Sequence, residues 1–199
     1  MDGIKIGPLV LFAAAMCLTP GPNVVMVMAS AVNFGFRRAV PHILGISVGF
    51  GVMVAAIGLG LAGLFEALPA LHAAVRYLGA AYLLYLAWRI GGSPASTTSD
   101  ERSKPIGFAE AALFQWLNPK GWATAIGAFV TYTAVGGETW KQATVVAAVL
   151  TAACCLSVVL WAAFGAGLSR FLATARIRAV FNWSMAALLV LSLLPVFVW

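Results

Sequence analysis

Leu18-Thr19-Pro20-Gly21-Pro22-Asn23 interrupts a long apolar run that extends from about Gly7 to Asn33. Such a run is expected to be helical. Two prolines and a glycine break it, because each proline lacks an N–H and its ring clashes with the preceding turn. In water the stretch would read as a turn. In a bilayer, the backbone groups it frees must be satisfied by protein or by a water-lined cavity. A break at membrane depth therefore marks a candidate site. A second break, Asn118-Pro119-Lys120-Gly121, interrupts a later apolar run.

Composition makes lipid the solvent. The 199 residues are 62% hydrophobic and 9% charged, with a mean hydropathy of +0.97. Soluble proteins carry about 25% charged residues. The formal charge of +6 does not point to nucleic acid, because the basic residues fall in short segments between apolar runs. That is a membrane-topology pattern.

The runs predict an all-α membrane protein of six transmembrane helices, at about 7–33, 40–64, 73–90, 106–134, 140–168 and 179–199. Helices one and four carry the breaks. The whole chain, 1–199, reads as a single polytopic domain: a three-helix half at 1–90, a Ser/Gly/Pro-rich cytoplasmic loop at 91–105, and a second half at 106–199. Arg37, Arg38, Arg89, Arg102, Lys104, Arg170, Arg176 and Arg178 lie on one side of these spans, and Lys5, Arg76 and Lys141 on the other. The bias places the first set in the cytoplasm and both termini outside. Three helices per half then make any repeat an inverted one. Pro20 and Pro119 hold corresponding places in the halves, and Leu18 aligns with Leu117, although identity elsewhere at that offset is low. Paired Pro/Gly interruptions in corresponding helices point to a transporter's midplane site. The first run is expected to be a retained helix, since its lead-in is nearly neutral and no cleavage site follows.

The chemistry of the breaks suits a zwitterion. A half-helix starting inside the membrane offers unpaired N–H groups and the positive end of a dipole to a carboxylate. Carbonyls freed on the other side can hold a cation or an ammonium group. Asn23 and Asn118 add amides that donate and accept. Lys120 is the sharpest single residue, because a lysine at bilayer depth is costly and marks function by default. It binds a substrate carboxylate or takes part in proton coupling; alternatively, it snorkels to an interface if helix four begins later. Gln115 and Thr124 lie near the second break and either line it or pack helices. Gly45 and Gly49 form a GxxxG pair that permits close helix approach, and the glycine-rich second helix is compatible with a homodimer. Glu66 and Glu110 read as loop-end charges, and His42 and His72 as interfacial residues. Cys17, Cys154 and Cys155 read as small buried hydrophobes. No metal, cofactor or catalytic constellation is visible, which argues against export of a metal cation or an intramembrane enzyme, and a passive scaffold has no need of two proline breaks at matching positions.

At Leu18-Thr19-Pro20-Gly21-Pro22-Asn23, Gly35 with Arg37 and Ala39, the Gly45/Gly49 pair and Leu117-Asn118-Pro119-Lys120, the chain resembles the LysE/RhtB superfamily of bacterial amino-acid exporters. The resemblance covers the whole chain. It implies an inner-membrane carrier that exports an amino acid or close derivative, driven by the proton motive force, with a distant branch handling metal cations. Many members have Asp where this chain has Asn23. An asparagine cannot exchange a proton, so position 23 reads as a binding element.

Overall fold

The computed structural model describes residues 4–61, 69–93, 104–133, 138–172 and 174–194, with no side-chain detail at 69–72. The predicted end of helix two, Glu66, the side chain of His72, most of the 91–105 loop and the last residues of helix six lie outside that set.

The described residues are helical, with no strand. The first span is two helices, α1 (Ile6–Leu18) and α2 (Pro22–Phe34), bent by 53° at the break. Gly35, with φ 82°, turns the chain in a single residue, and a left-handed φ of this kind favours glycine. Next comes α3 (Phe36–Ala56), which widens into a π turn at Ile57–Leu61 and ends at Gly60, φ 113°. It starts before the expected Val40, so Arg37 and Arg38 stand in its first turn. The following helix, α4 (Pro69–Gly91), begins at a proline, which is tolerated there because the first N–H has no partner in any helix. The second break separates α5 (Phe108–Phe114), followed by a 3₁₀ turn at Gln115–Leu117 and an extended Asn118, from α6 (Pro119–Tyr132). The last two helices are α7 (Thr139–Leu168) and α8 (Ala175–Leu191).

Phe36–Leu61 and Thr139–Leu168 are each long and apolar enough to cross a membrane, and the bent pair α1–α2 makes a third span if taken as one. The burial pattern shows which solvent each face meets. Along α3, Val40, Leu44, Val48 and Val52 point outward at four-residue spacing, while Ile43, Ile46, Phe50 and Met53 are buried. Leu156, Leu160 and Phe164 form a similar outward stripe on α7. Apolar faces of this extent suit lipid.

Helices α3 and α7 pack against each other at the centre, α5 lies on α3, α1 and α2 lie on α7, and α4 pairs with α8. Small residues set the closest seams. A Cβ on Gly45 would meet the Phe108 carbonyl and Ala111, and one on Gly49 the backbone of Ala112. The Gly45/Gly49 face of α3 is therefore covered by α5 of the same chain. Gly51 abuts Thr151, and Gly165 abuts Met28.

Candidate functional site

Both breaks take the same local form. Each half-helix that follows, α2 or α6, opens with a proline at its first position and has no side-chain cap. The N–H groups of Asn23 and Val24, and of Lys120 and Gly121, belong to the first turns and have no intrahelical acceptor. All four residues line one small cavity of about 40 Å³. Two helix N-termini thus converge on one point, each contributing a positive dipole end. The cavity has room for a few waters, each needing roughly 10–15 Å³, and none for an amino acid.

The breaks are held together directly. Lys120 Nζ donates to the Thr19 carbonyl at 2.6 Å, and its stem lies over Gly21, where a Cβ would stand 2.8 Å from Lys120 Cδ. Lys120 is half-buried and reaches across to the other break. The Asn23 and Gln115 amides clasp reciprocally: Asn23 Nδ2 donates to Gln115 Oε1 at 2.8 Å, and Gln115 Nε2 to Asn23 Oδ1 at 3.1 Å. Gln115 is fully buried.

At the end of α1 the carbonyls of Ala15, Cys17, Leu18 and Thr19 have protein partners. Thr19 Oγ1 and Thr19 N donate to Ala15 O. Ser157 Oγ donates to Cys17 O at 2.6 Å, and Trp161 Nε1 to Leu18 O at 3.3 Å, both from α7. With Lys120 on Thr19, the ammonium group that this break holds is the protein's own. Asn118 differs. It occupies the N-cap position of α6 but makes no cap bond, and its buried Oδ1 meets no donor among the described residues. It lines the cavity as an acceptor without a partner. Thr124 also lines it, with its hydroxyl bonded to Lys120 O at 2.7 Å. Cys17 and Cys154, read from sequence as inert packing, are two further wall residues.

Two polar groups that the sequence places at helix ends are tied into the bundle. His42 is fully buried, its Nδ1 3.0 Å from Ser30 Oγ. Glu110 is no loop-end charge: it pairs with Arg89 and accepts from Tyr82 Oη at 2.9 Å, joining α5 to α4. With side chains 31% and 29% exposed, this pair lies between the surface and buried cases. Removing either partner is expected to cost about 1–2 kcal/mol, below the 3–5 kcal/mol of a fully buried pair. A double-mutant cycle with Arg89→Ala and Glu110→Ala, read by thermal unfolding in detergent, checks this: the double variant should lose less than the sum of the singles.

No group of three or more His, Cys, Asp or Glu side chains suited to a metal ion occurs among the described residues. A paired break, lined by helix N-termini and bridged by a lysine inside an apolar helical bundle, is the arrangement expected of a membrane translocator. Comparison with known proteins places it further. Residues 14–194 match the family model of the LysE type translocators, and the chain belongs to that family. The cysteine/O-acetylserine efflux protein of Klebsiella pneumoniae subsp. pneumoniae is 30% identical over 191 residues, covering 96% of this chain and 95% of the relative. Proteins of the same description from Salmonella typhimurium and Escherichia coli O1:K1 / APEC are 39% and 36% identical over 106 residues, and in each case the chain spans 52% of the relative's length. No solved structure matches.

Proposed function

We propose that this protein is a secondary transporter exporting a small zwitterionic amino acid, of the cysteine or O-acetylserine kind, across the bacterial inner membrane. The observation that carries this reading is the convergence of two uncapped helix N-termini, Lys120 and the unpartnered Asn118 Oδ1 on one cavity. The N–H groups and Lys120 suit a carboxylate, and the free Asn118 oxygen suits an ammonium. Once the cavity is enlarged, a wall of residues as small as Cys17, Cys154 and Val158 suits a short side chain. The relatives' description as cysteine/O-acetylserine efflux proteins supports this substrate class.

Six spans in two inverted three-helix halves follow, with α1–α2 and α5–α6 as broken spans and both termini outside. An exchange of the halves turns the α3–α5 packing into the α7–α1 packing and maps α3–α7 and α4–α8 onto themselves, which supports this arrangement, although the extensive α2–α7 packing has only a slight counterpart in α6–α3. Rocking of the halves would part the breaks and enlarge the cavity from its closed volume. Export is driven by the proton motive force. Among the described residues no carboxylate lines the cavity, and Lys120 is the group on which coupling acts.

Purified protein in liposomes tests the reading. Radiolabelled cysteine or O-acetylserine should move when a pH gradient or membrane potential is imposed, and collapse of both gradients should stop it. No movement of either compound, or of any other amino acid, would remove this function.

A further inference from the structure

Helix α2 carries three polar residues, Asn23, Ser30 and Asn33, at spacings of seven and three, which align them on one helix face. Each is bonded to a different helix or turn. Asn23 clasps Gln115, and Ser30 meets His42 of α3. Asn33 exchanges amide hydrogen bonds of 2.9 and 3.3 Å with the fully buried Asn182 of α8. Buried polar groups in a membrane bundle are expensive and mark substrate pathways.

The two ends of this line differ. Asn23 opens onto the small cavity between the breaks. Ser30 and Asn33 open onto a second cavity of about 450 Å³, walled also by Arg89 and Lys104. A volume of that order accommodates a small ligand. The seven residues from Asn23 to Ser30 span roughly 10 Å along the helix. Between them the same face carries Met26 and Val27, both buried, so the two cavities are separate in this closed state; beside Ser30, His42 presents a buried Nε2 with no partner among the described residues.

From these observations, and resting on the exporter reading, we infer that substrate travels from the large cavity to the paired breaks along the polar face of α2, and that the Asn23–Gln115 clasp is the gate across this route. Gln115 is suited to the role. It stands on the 3₁₀ turn between α5 and α6, a tighter turn of the kind often found at hinges. Helix α5 runs from that turn back toward Ile106, which lines the large cavity. The clasp therefore closes the central cavity on the side of the large one. Ser30, with His42 bonded to it, stands at the large-cavity end of the route.

The native thiols report on the gate. Cys17 and Cys154 line the central cavity, so a small, membrane-impermeant methanethiosulfonate reaches them from the Arg89/Lys104 face only when the clasp is open. In a Cys155→Ala background, Gln115→Ala is expected to raise their modification rate from that face at least tenfold and to leave the rate from the opposite face unchanged. An unchanged rate overturns the inference, and so does an equal rise from both faces, which would mean general loosening. Gln115→Met, close in volume but unable to clasp, should give the same one-sided rise; protection equal to wild type would again overturn it. Labelling needs no transported substrate. A wild-type protein that moves no amino acid in liposomes would remove the exporter reading, while the labelling still decides whether the clasp closes the route.

Discussion

Lys120→Met is expected to cut amino-acid export roughly ten- to a hundredfold while leaving the protein folded. Lys120 Nζ spans the two breaks through its bond to the Thr19 carbonyl at 2.6 Å, and a charge-assisted hydrogen bond contributes about 1.5–3 kcal/mol. With tenfold per 1.36 kcal/mol, that range gives the expected loss. Methionine keeps the stem that covers Gly21 and removes only the ammonium, so packing is retained. Gly21→Ala provides an independent route to the same result. Its backbone is ordinary extended chain, φ −161°, but the added Cβ would stand 2.8 Å from Lys120 Cδ and 3.1 Å from Nζ. The lysine must shift off Thr19 without losing its charge, and export should fall to an intermediate level. Initial rates in proteoliposomes at subsaturating substrate measure both. Full export by Lys120→Met would mean that the ammonium serves only to close the break.

The breaks were legible because proline and glycine act locally: nothing distant is needed to know that 20–22 and 119 interrupt helices. Their partners were not legible, because the clasp joins residues 92 apart and the Asn33–Asn182 pair joins residues 149 apart. Periodicity says nothing about which helix faces which. Gln115 was noticed for its nearness to Asn118, yet its bond to the first break depends on how α5 lies along α3. His42 was misplaced for a definable reason. Helix α3 begins at Phe36, four residues before the expected start, and this carries His42 about one turn deeper and into contact with Ser30. Glu110 lay near a helix start, as expected, but its Arg89 partner comes from the far end of α4. Sequence leaves the carbonyls freed by the first break open to a ligand, and α7 takes two of them, Cys17 O and Leu18 O, through Ser157 and Trp161. A local rule gives the broken backbone; only the tertiary arrangement shows what satisfies it.

Asn118→Leu separates function from stability more sharply than any other change. A buried acceptor without a donor costs about 1–3 kcal/mol, and replacing it by an apolar group of similar shape is nearly neutral or stabilising. Asn118 is 3% exposed, its Oδ1 is such an acceptor, and its side chain gives α6 no cap bond that the change would remove. The thermal unfolding midpoint in detergent should therefore hold or rise. Export should fall at least tenfold, since a hydrogen bond to a charged group is worth about 1.5–3 kcal/mol and the substrate ammonium would lose its acceptor. Asn118→Asp should not restore it fully: a carboxylate in reach of Lys120 would pair with the lysine and compete with the substrate at both ends. If Asn118→Leu instead melts early and exports normally per folded molecule, Asn118 is a structural residue and the ammonium is held elsewhere. A stable, inactive variant would fit a site that accepts the cost of one unsatisfied oxygen in the closed state and recovers it when substrate binds.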